Sequence, residues 1–293
     1  MNFNFIYRGE TREIDDEVRS STGGRFIRLS NGFTHYELSG PPAGRIVVLV
    51  HGFSVPYFVF DPTFSYLTGA GFLTLRYDLF GRGFSDRPPI RYNLDLFVNQ
   101  LEGLLDTLGF QQVHLIGLSM GGAIASAFTV KFPDRVRRLI LIDPVGTRPM
   151  PLSWTAKVAL LPIVSELVLG LADTGKLIQG VAPAYFDPEQ IRMFQDQYRV
   201  QTKYRGFKRA LLSTLRNKTV DGFPEVYRRL GRLSLPVLLL WGRNDRTLPL
   251  EQSRDILSAV PQTKLRIVEN CGHIPHYEKP DEVNPMISDF LDN

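Results

Sequence analysis

The sequence predicts an α/β protein built on a mostly parallel, doubly wound sheet. Three observations carry that expectation. Continuous aliphatic runs, Ile46–Val50 and Val237–Trp241 among them, read as strands buried on both faces. Helix-compatible runs alternate with them, as at 94–108 and 123–131. One such strand passes straight into one such helix through Gly117-Leu118-Ser119-Met120-Gly121, a Gly-x-Ser-x-Gly turn.

Taken in order, residues 1–24 are polar and end in Ser-Ser-Thr-Gly-Gly, an N-terminal extension with helical character around Ile14–Arg19. Arg25–Leu29 and Phe33–Leu38 flank Ser30-Asn31-Gly32 and read as a hairpin. After the strand Ile46–Val50 come a helix near Asp61–Thr68 and a strand at Phe72–Tyr77. A glycine-rich turn over Asp78–Asp86 leads to a helix at Leu94–Leu108, whose apolar positions recur at helical spacing. The strand and helix around Ser119 follow, then a strand at Leu139–Ile142. From Thr147 to Asn217 the alternation stops, and helical patterning punctuated by prolines reads as an inserted lid. Val237–Trp241 restarts the strands, followed by a helix at Leu250–Ala259, a strand at Leu265–Val268 and a helix at Val283–Leu291. The expected organisation is a core of residues 1–146 and 218–293 with a helical lid of residues 147–217.

Composition narrows the function classes. The chain has 293 residues, 43% hydrophobic and 22% charged, ordinary for a soluble globular protein with a large core. Its formal net charge of +4 is modest, and its arginines are dispersed in small groups such as Arg135, Arg137 and Arg138. No basic stripe or reading motif accompanies them, which argues against nucleic acid as a partner. The single cysteine, Cys271, allows no disulfide within the chain. No run approaches the roughly 20 apolar residues of a membrane span, and the N-terminus carries no signal-type hydrophobic region. The expectation is a cytoplasmic protein. The five histidines show no metal-ligand spacing, so neither metal nor cofactor is expected.

The chemistry sits where strands end, as it does in open α/β sheets. His51-Gly52-Phe53-Ser54 follows Val50, and Ser119 follows the strand that starts at Val113. Gly242-Arg243-Asn244-Asp245 follows Trp241, and Glu269-Asn270-Cys271-Gly272-His273 follows Val268. Gly117 and Gly121 have a mechanical reason, because strand and helix pass too close beside Ser119 to admit a Cβ. Three fixed positions would match by chance in roughly one chain of this length in ten, so the motif needs its neighbours. A serine hydroxyl needs a histidine to take its proton and a carboxylate to hold that histidine's tautomer. His273 and Asp245 are the candidates, with His276 and Asp143 as rivals for base and acid. His51 reads as a hydrogen-bonding strut for its loop, His35 and His114 as sheet-face residues, and Cys271 as a buried small residue. Asp78, Gly81 and Gly83 read as loop-shaping.

These motifs together resemble the α/β-hydrolase superfamily, in the branch whose lid follows the sixth strand. The resemblance runs from Arg25 to Leu291 through His51-Gly52-Phe53, Asp78-x-x-Gly81-x-Gly83-x-Ser85, Gly117-Leu118-Ser119-Met120-Gly121-Gly122, Gly242-x-x-Asp245 and Cys271-Gly272-His273-x-Pro275-x-x-Glu278. It implies the α/β-hydrolase fold, with Ser119 as nucleophile, Asp245 as acid and His273 as base. It also implies an oxyanion hole from the backbone N–H groups of Phe53 and Met120.

The expected activity is serine carboxylester hydrolysis through an acyl-enzyme, on an uncharged, small to medium, apolar ester. The apolar lid would form the acyl pocket or touch lipid transiently, with Trp154, Tyr185 and Phe186 as pocket candidates and Met193 and Phe194 nearby. Ser119 at the elbow argues against dehalogenases and epoxide hydrolases, which resemble this fold but place an aspartate there. Carbon–carbon bond hydrolases of aromatic ring-cleavage products share the triad and the Cys-Gly-His ending. Many of them carry Asn where this chain has Leu118, which ranks them second. Enol-lactonases resemble the Gly-Leu-Ser-Met-Gly-Gly stretch itself. A non-catalytic ligand-binding protein on the same fold is the reading from outside enzymology. The oligomeric state is not legible in the sequence.

Overall fold

The computed structural model describes residues 7–149, 161, 164–171, 174–181 and 188–293. The pocket candidates Trp154, Tyr185 and Phe186 lie outside the described residues. The eight strands are β1 (Arg25–Leu29), β2 (Gly32–Ser39), β3 (Ile46–Val50), β4 (Leu73–Tyr77), β5 (Val113–Leu118), β6 (Val136–Ile142), β7 (Val237–Gly242) and β8 (Thr263–Val268). They form one sheet in the order β1-β2-β4-β3-β5-β6-β7-β8. The β1/β2 and β2/β4 pairs are antiparallel and the rest parallel. The chain therefore has the α/β fold its aliphatic runs predict.

Those runs are continuous because both sheet faces are covered. Val48, Val50, Leu115, Leu139, Leu141, Leu239 and Trp241 face one layer. It contains helices α3 (Leu94–Thr107) and α4 (Met120–Lys131). Val47, Leu49, Ile116, Leu118, Ile140, Ile142, Leu238 and Leu240 face the other. It contains α2 (Asp61–Gly69) and the C-terminal helix Pro280–Asp292. Alternate residues of each strand thus belong to different cores, and neither face tolerates a polar period.

Local signals set several boundaries. A short helix α1 (Asp16–Ser21) begins after Asp15, whose carboxylate accepts the Val18 N–H at 2.9 Å, so it starts later than the sequence pattern suggests. Asn93 caps α3 in the same way through Leu96 N–H at 3.0 Å. Helix α4 starts at Met120, immediately after Ser119, and its Gly- and Ala-rich surface is buried on almost every side.

Between β6 and β7 the described residues form helices and no strand: α5 (Val164–Leu171), α6 (Thr174–Gln179), α7 (Pro188–Gln201), α8 (Phe207–Arg216) and α9 (Pro224–Leu230). The last of these is absent from the sequence expectation, being short and charged, with Pro224 at its first turn. It nonetheless buries Tyr227 and Leu230 completely. After β7 come α10 (Ser253–Ala259), the four-residue α11 (Pro275–Glu278) and α12 (Pro280–Asp292).

From Tyr7 onward the N-terminal segment is packed onto the rest of the chain. Tyr7 and Glu10 are buried, and Thr11 N–H donates to Lys203 O at 2.8 Å. The Glu10 carboxylate accepts Gly206 N–H and Lys208 N–H, each at 2.7 Å, at the open N-terminus of α8. An anion from nearly 200 residues away fills the place of an N-cap, favoured by the helix dipole.

Candidate active site

Ser119 sits at the tip of the β5–α4 turn with φ 54° and ψ −119°, a left-handed conformation unusual for serine. Such a residue costs on the order of 1–3 kcal/mol, so its surroundings must hold it. Ser119 N–H donates to Ile142 O at 2.9 Å, and Ser119 O accepts Val145 N–H at 3.0 Å, which ties the turn to the end of β6. A Cβ on Gly117 would lie 2.4 Å from Gly121 O, and one on Gly121 would lie 2.0 Å from Val50 O. Both glycines are therefore obligatory, for the reason the sequence suggests.

The His51–Ser54 loop passes beside this turn, since a Cβ on Gly52 would meet Ser119 Cβ at 3.3 Å. His51 is its strut. Leu79 N–H donates to His51 Nε2 at 2.9 Å, so the proton resides on Nδ1, which faces Gly52 O at 2.9 Å. Burial pushes His51 down to about 4, so the ring stays neutral and keeps that tautomer. The loop places Phe53, one candidate oxyanion donor, next to the elbow. The other, Met120, opens α4, where an N–H lacks a carbonyl one turn back.

Asp245 and His273 come from the loops after β7 and β8 and meet directly. His273 Nδ1–H donates to Asp245 Oδ2 at 2.6 Å. Asp245 Oδ1 accepts Thr247 N–H at 2.7 Å and Leu248 N–H at 3.0 Å, and the carboxylate is fully enclosed. His273 remains 22% exposed, so its ring reaches from a buried anion towards an open edge. The Glu278 carboxylate, in α11, holds the histidine loop by accepting Gly272 N–H at 2.8 Å and Ile274 N–H at 3.3 Å. It also accepts from the Cys271 thiol at 3.5 Å. Burial pushes that thiol's pKa well up, which leaves Cys271 an inert packing residue.

The rivals are placed differently. His276 is fully buried against Phe60, with ring centroids 4.6 Å apart, and burial pushes it down to about 3. It packs the core rather than facing Asp245. Asp143, at the end of β6, is fully buried beside Asp245 with φ 38°. Its backbone faces β7, and its Oδ1 accepts Gly242 N–H at 3.0 Å.

Two polar residues that the sequence reading passed over tie the helical segment to this loop. Arg82 is completely buried, with its Nε–H donating to Phe53 O at 2.8 Å and one terminal N–H to Thr214 Oγ1, on α8, at 2.8 Å. The rings of Phe53, Tyr92 and Phe97 surround its guanidinium. Burial lowers its pKa to about 10, still far above neutrality, so a cation sits behind the loop. Gln201, on α7, accepts Gly83 N–H at 2.9 Å and donates to Ser54 O at 2.8 Å. An arginine or glutamine in a sequence is read as exposed by default, and only the packing reveals otherwise.

The wall over the loop is apolar. Ile178, Tyr198, Phe207 and Leu211 from the helical segment cluster with Phe53, Val55, Phe58 and Val181. Phe194 bridges Phe58 (5.1 Å) and Tyr277 (5.4 Å), joining α7 to the histidine loop. Met193, beside it in sequence, is 60% exposed and faces away.

Strand-end placement, a strained serine and a histidine clamped on a buried carboxylate define the chain as a hydrolase of the α/β type. The chain belongs to the alpha/beta hydrolase family, whose model matches residues 47–286. It is 30% identical, over 91% of its length and 94% of the relative's, to 2-hydroxy-6-oxononadienedioate/2-hydroxy-6-oxononatrienedioate hydrolase 1 of Dechloromonas aromatica. It is 28% identical to 2-hydroxy-6-oxo-6-phenylhexa-2,4-dienoate hydrolase of Comamonas testosteroni, over 90% of this chain and 92% of that one. The crystal structure of the enol-lactonase from Burkholderia xenovorans LB400 superposes with a TM-score of 0.77 at 21% identity, covering 92% of this chain and all of that one. Among the described residues no helix is long and apolar enough to cross a membrane.

Proposed function

We propose that the protein hydrolyses a carbon–carbon bond in a 2-hydroxy-6-oxo-dienoate, a ring-cleavage type of product, with Ser119, His273 and Asp245 as its catalytic triad. The observation that carries this reading is the likeness, along at least nine-tenths of both chains, to relatives named for that substrate class. It moves ester hydrolysis, the first expectation from sequence, into second place.

The chemistry suits the same machinery. A triad that adds an oxygen nucleophile to a carbonyl carbon needs only a leaving group able to carry an electron pair. In an ester that group is an alkoxide. In the keto tautomer of a 2-hydroxy-6-oxo-dienoate, protonated at carbon 5, it is carbon 5, whose electrons delocalise through the remaining carbon 3–carbon 4 double bond into the 2-keto acid. Ser119 Oγ adds at carbon 6, the bond to carbon 5 breaks, the leaving group takes a proton from His273 and departs as a 2-hydroxydienoate, and water then releases the carboxylic acid from the acyl-enzyme. His273 Nε2 takes the proton of the attacking hydroxyl, and Asp245 stabilises the imidazolium that forms. The N–H groups of Phe53 and Met120 receive the oxyanion. Among the described residues the wall of Phe58, Phe194 and Tyr277 is aromatic, which favours an aryl or alkyl group on carbon 6 over a second carboxylate desolvated against those rings.

The second reading, an ester or enol-lactone, is favoured by Leu118. It is 3% exposed and packs into the core beneath the elbow, where many carbon–carbon hydrolases resemble one another in carrying Asn. Parallel assays with 2-hydroxy-6-oxo-6-phenylhexa-2,4-dienoate and p-nitrophenyl butyrate separate the two. The proposal expects kcat/KM at least about 100-fold higher on the dienoate, and loss of turnover in Ser119→Ala. A preference for the butyrate would reverse the ranking.

A further inference from the structure

The buried pair Asp143 and Asp245 has more oxygens than charges it can hold. One carboxylate oxygen of Asp143, one of Asp245 and one ring nitrogen of His273 all lie within 4.8 Å of one another. Two buried carboxylates that close repel, and each disfavours the ionised form of the other. Counting donors shows which one keeps its charge. Asp245 receives three, from His273 Nδ1, Thr247 N and Leu248 N. Asp143 receives Gly242 N–H on Oδ1, while Oδ2 is buried and meets no donor among the described residues. An ionised oxygen left bare in such a place would be among the costliest arrangements in the molecule.

We infer that Asp143 is a neutral carboxylic acid whose Oδ2–H donates to Asp245, a positioning residue that holds and tempers the acid of the triad. The inference rests on the reading of Asp245 and His273 as a catalytic pair. With the proton in place, every oxygen of both side chains has a partner and Asp245 carries the single negative charge. The groups facing Asp143 agree in sign. Burial, Asp245 and Glu278 all push its carboxyl well above the usual range, opposed by the Gly242 N–H, and the Cys271 thiol nearby stays neutral. His273, across Asp245, has its Nδ1–H already committed. The geometry has a consequence for the base. A donor on Asp245 draws charge away from His273, so its loss raises the affinity of the imidazole for a proton.

Asn and Gly both tolerate the positive φ of residue 143, which makes clean variants available. Asp143→Asn keeps an acceptor for Gly242 and an N–H for Asp245. The inference expects kcat/KM within about threefold of wild type and an unmoved acid limb of the pH profile. Asp143→Gly removes the donor; kcat should fall about tenfold with KM little changed, and the acid limb should move to higher pH. If Asp143 is instead ionised, Asp143→Asn deletes a negative charge near His273 and the acid limb moves to lower pH, which overturns the inference. Infrared difference spectroscopy of Asp143→Asn against wild type supplies a readout independent of turnover. A protonated-carboxyl carbonyl band present in wild type at pH 7 and missing from the variant supports the inference. Its absence from wild type overturns it. An inactive enzyme with the band intact would count against the catalytic reading alone.

Discussion

Two histidine–aspartate pairs in this molecule use the same atoms and hold different positions. His273 meets Asp245 through Nδ1 and Oδ2 at 2.6 Å, and His35 on β2 meets Asp78 through Nδ1 and Oδ2 at 2.8 Å. The difference lies at the other ring nitrogen. His35 Nε2 faces Gly23 O at 2.7 Å. Both partners of His35 are acceptors, so its ring carries two protons and is an imidazolium. Phe26, Tyr57 and Phe84 surround it, and Asp78 is further tied to Phe84 N–H at 2.9 Å and Tyr57 N–H at 3.0 Å. That pair is a strut joining the N-terminal segment, β2 and the glycine-rich loop. His273 keeps an edge exposed, and among the described residues its Nε2 meets no such carbonyl clamp, which is what a proton acceptor needs. The same chemical pair is a fastener at His35 and, in the proposed function, a base at His273, according to what the second nitrogen faces.

Breaking each pair should therefore move a different observable. Asp245→Asn is expected to lower kcat by about 10⁴ with little change in stability, because the imidazole loses its tautomer and its counter-charge. Steady-state kinetics and urea unfolding on the same preparation check this; a large loss of stability would mean that Asp245 is structural. His35→Gln is expected to do the reverse, costing about 3–5 kcal/mol through an uncompensated Asp78 while kcat/KM holds near wild type. A collapse of activity with intact stability would remove the contrast.

A smaller effect sharpens the role of the buried cation behind the Phe53 loop, the proposed oxyanion loop. Arg82→Met keeps the volume but frees Phe53 O. It should lower kcat about tenfold and KM less, since a loose donor costs most in the transition state. Equal loss of kcat and substrate binding would point to general unfolding of the loop.

The smallest effect is on pH. Burial disfavours a charged His35, but its hydrogen bonds to Asp78 and Gly23 O and the Asp78 charge outweigh that, and its pKa is raised. Burial likewise opposes an ionised Asp78, yet His35 and the Phe84 N–H hold its pKa below the usual value. The His35 contribution is therefore complete below its unfolded pKa of 6.5 and fades as pH rises through the folded value. The Asp78 contribution is complete above 3.8 and fades as pH falls through its folded value. The stability difference between wild type and His35→Gln should be greatest near about pH 5–6 and shrink towards about pH 9. A difference that grows with pH would contradict an imidazolium at His35.

Much of the sheet was legible because burial on both faces leaves an uninterrupted aliphatic signature, as in β3, β5 and β7. The elbow was legible because steric crowding demands glycine at 117 and 121, and the strand ends then pointed to Asp245 and His273 as candidates. What stayed hidden depends on contacts remote in sequence. Glu10 meets the start of α8 across nearly 200 residues, and His35 meets Asp78 across 43. No local pattern marks either, so Glu10 was read as part of a polar tail and His35 as a sheet-face residue. Helix α9 was missed because its burial rests on Tyr227 and Leu230 alone. Asp143 was seen as a rival acid, but its closeness to Asp245 appears only once β6 and β7 lie side by side.

The account turns on Ser119 being activated by His273 and Asp245. The most direct measurement is the rate and site of covalent labelling by a fluorophosphonate, read by peptide mass spectrometry, in wild type, Asp245→Asn and His35→Gln. The account expects a single adduct on Ser119, formed much more slowly in Asp245→Asn and at the wild-type rate in folded His35→Gln. An adduct on another residue, or equal labelling of wild type and Asp245→Asn, would contradict it.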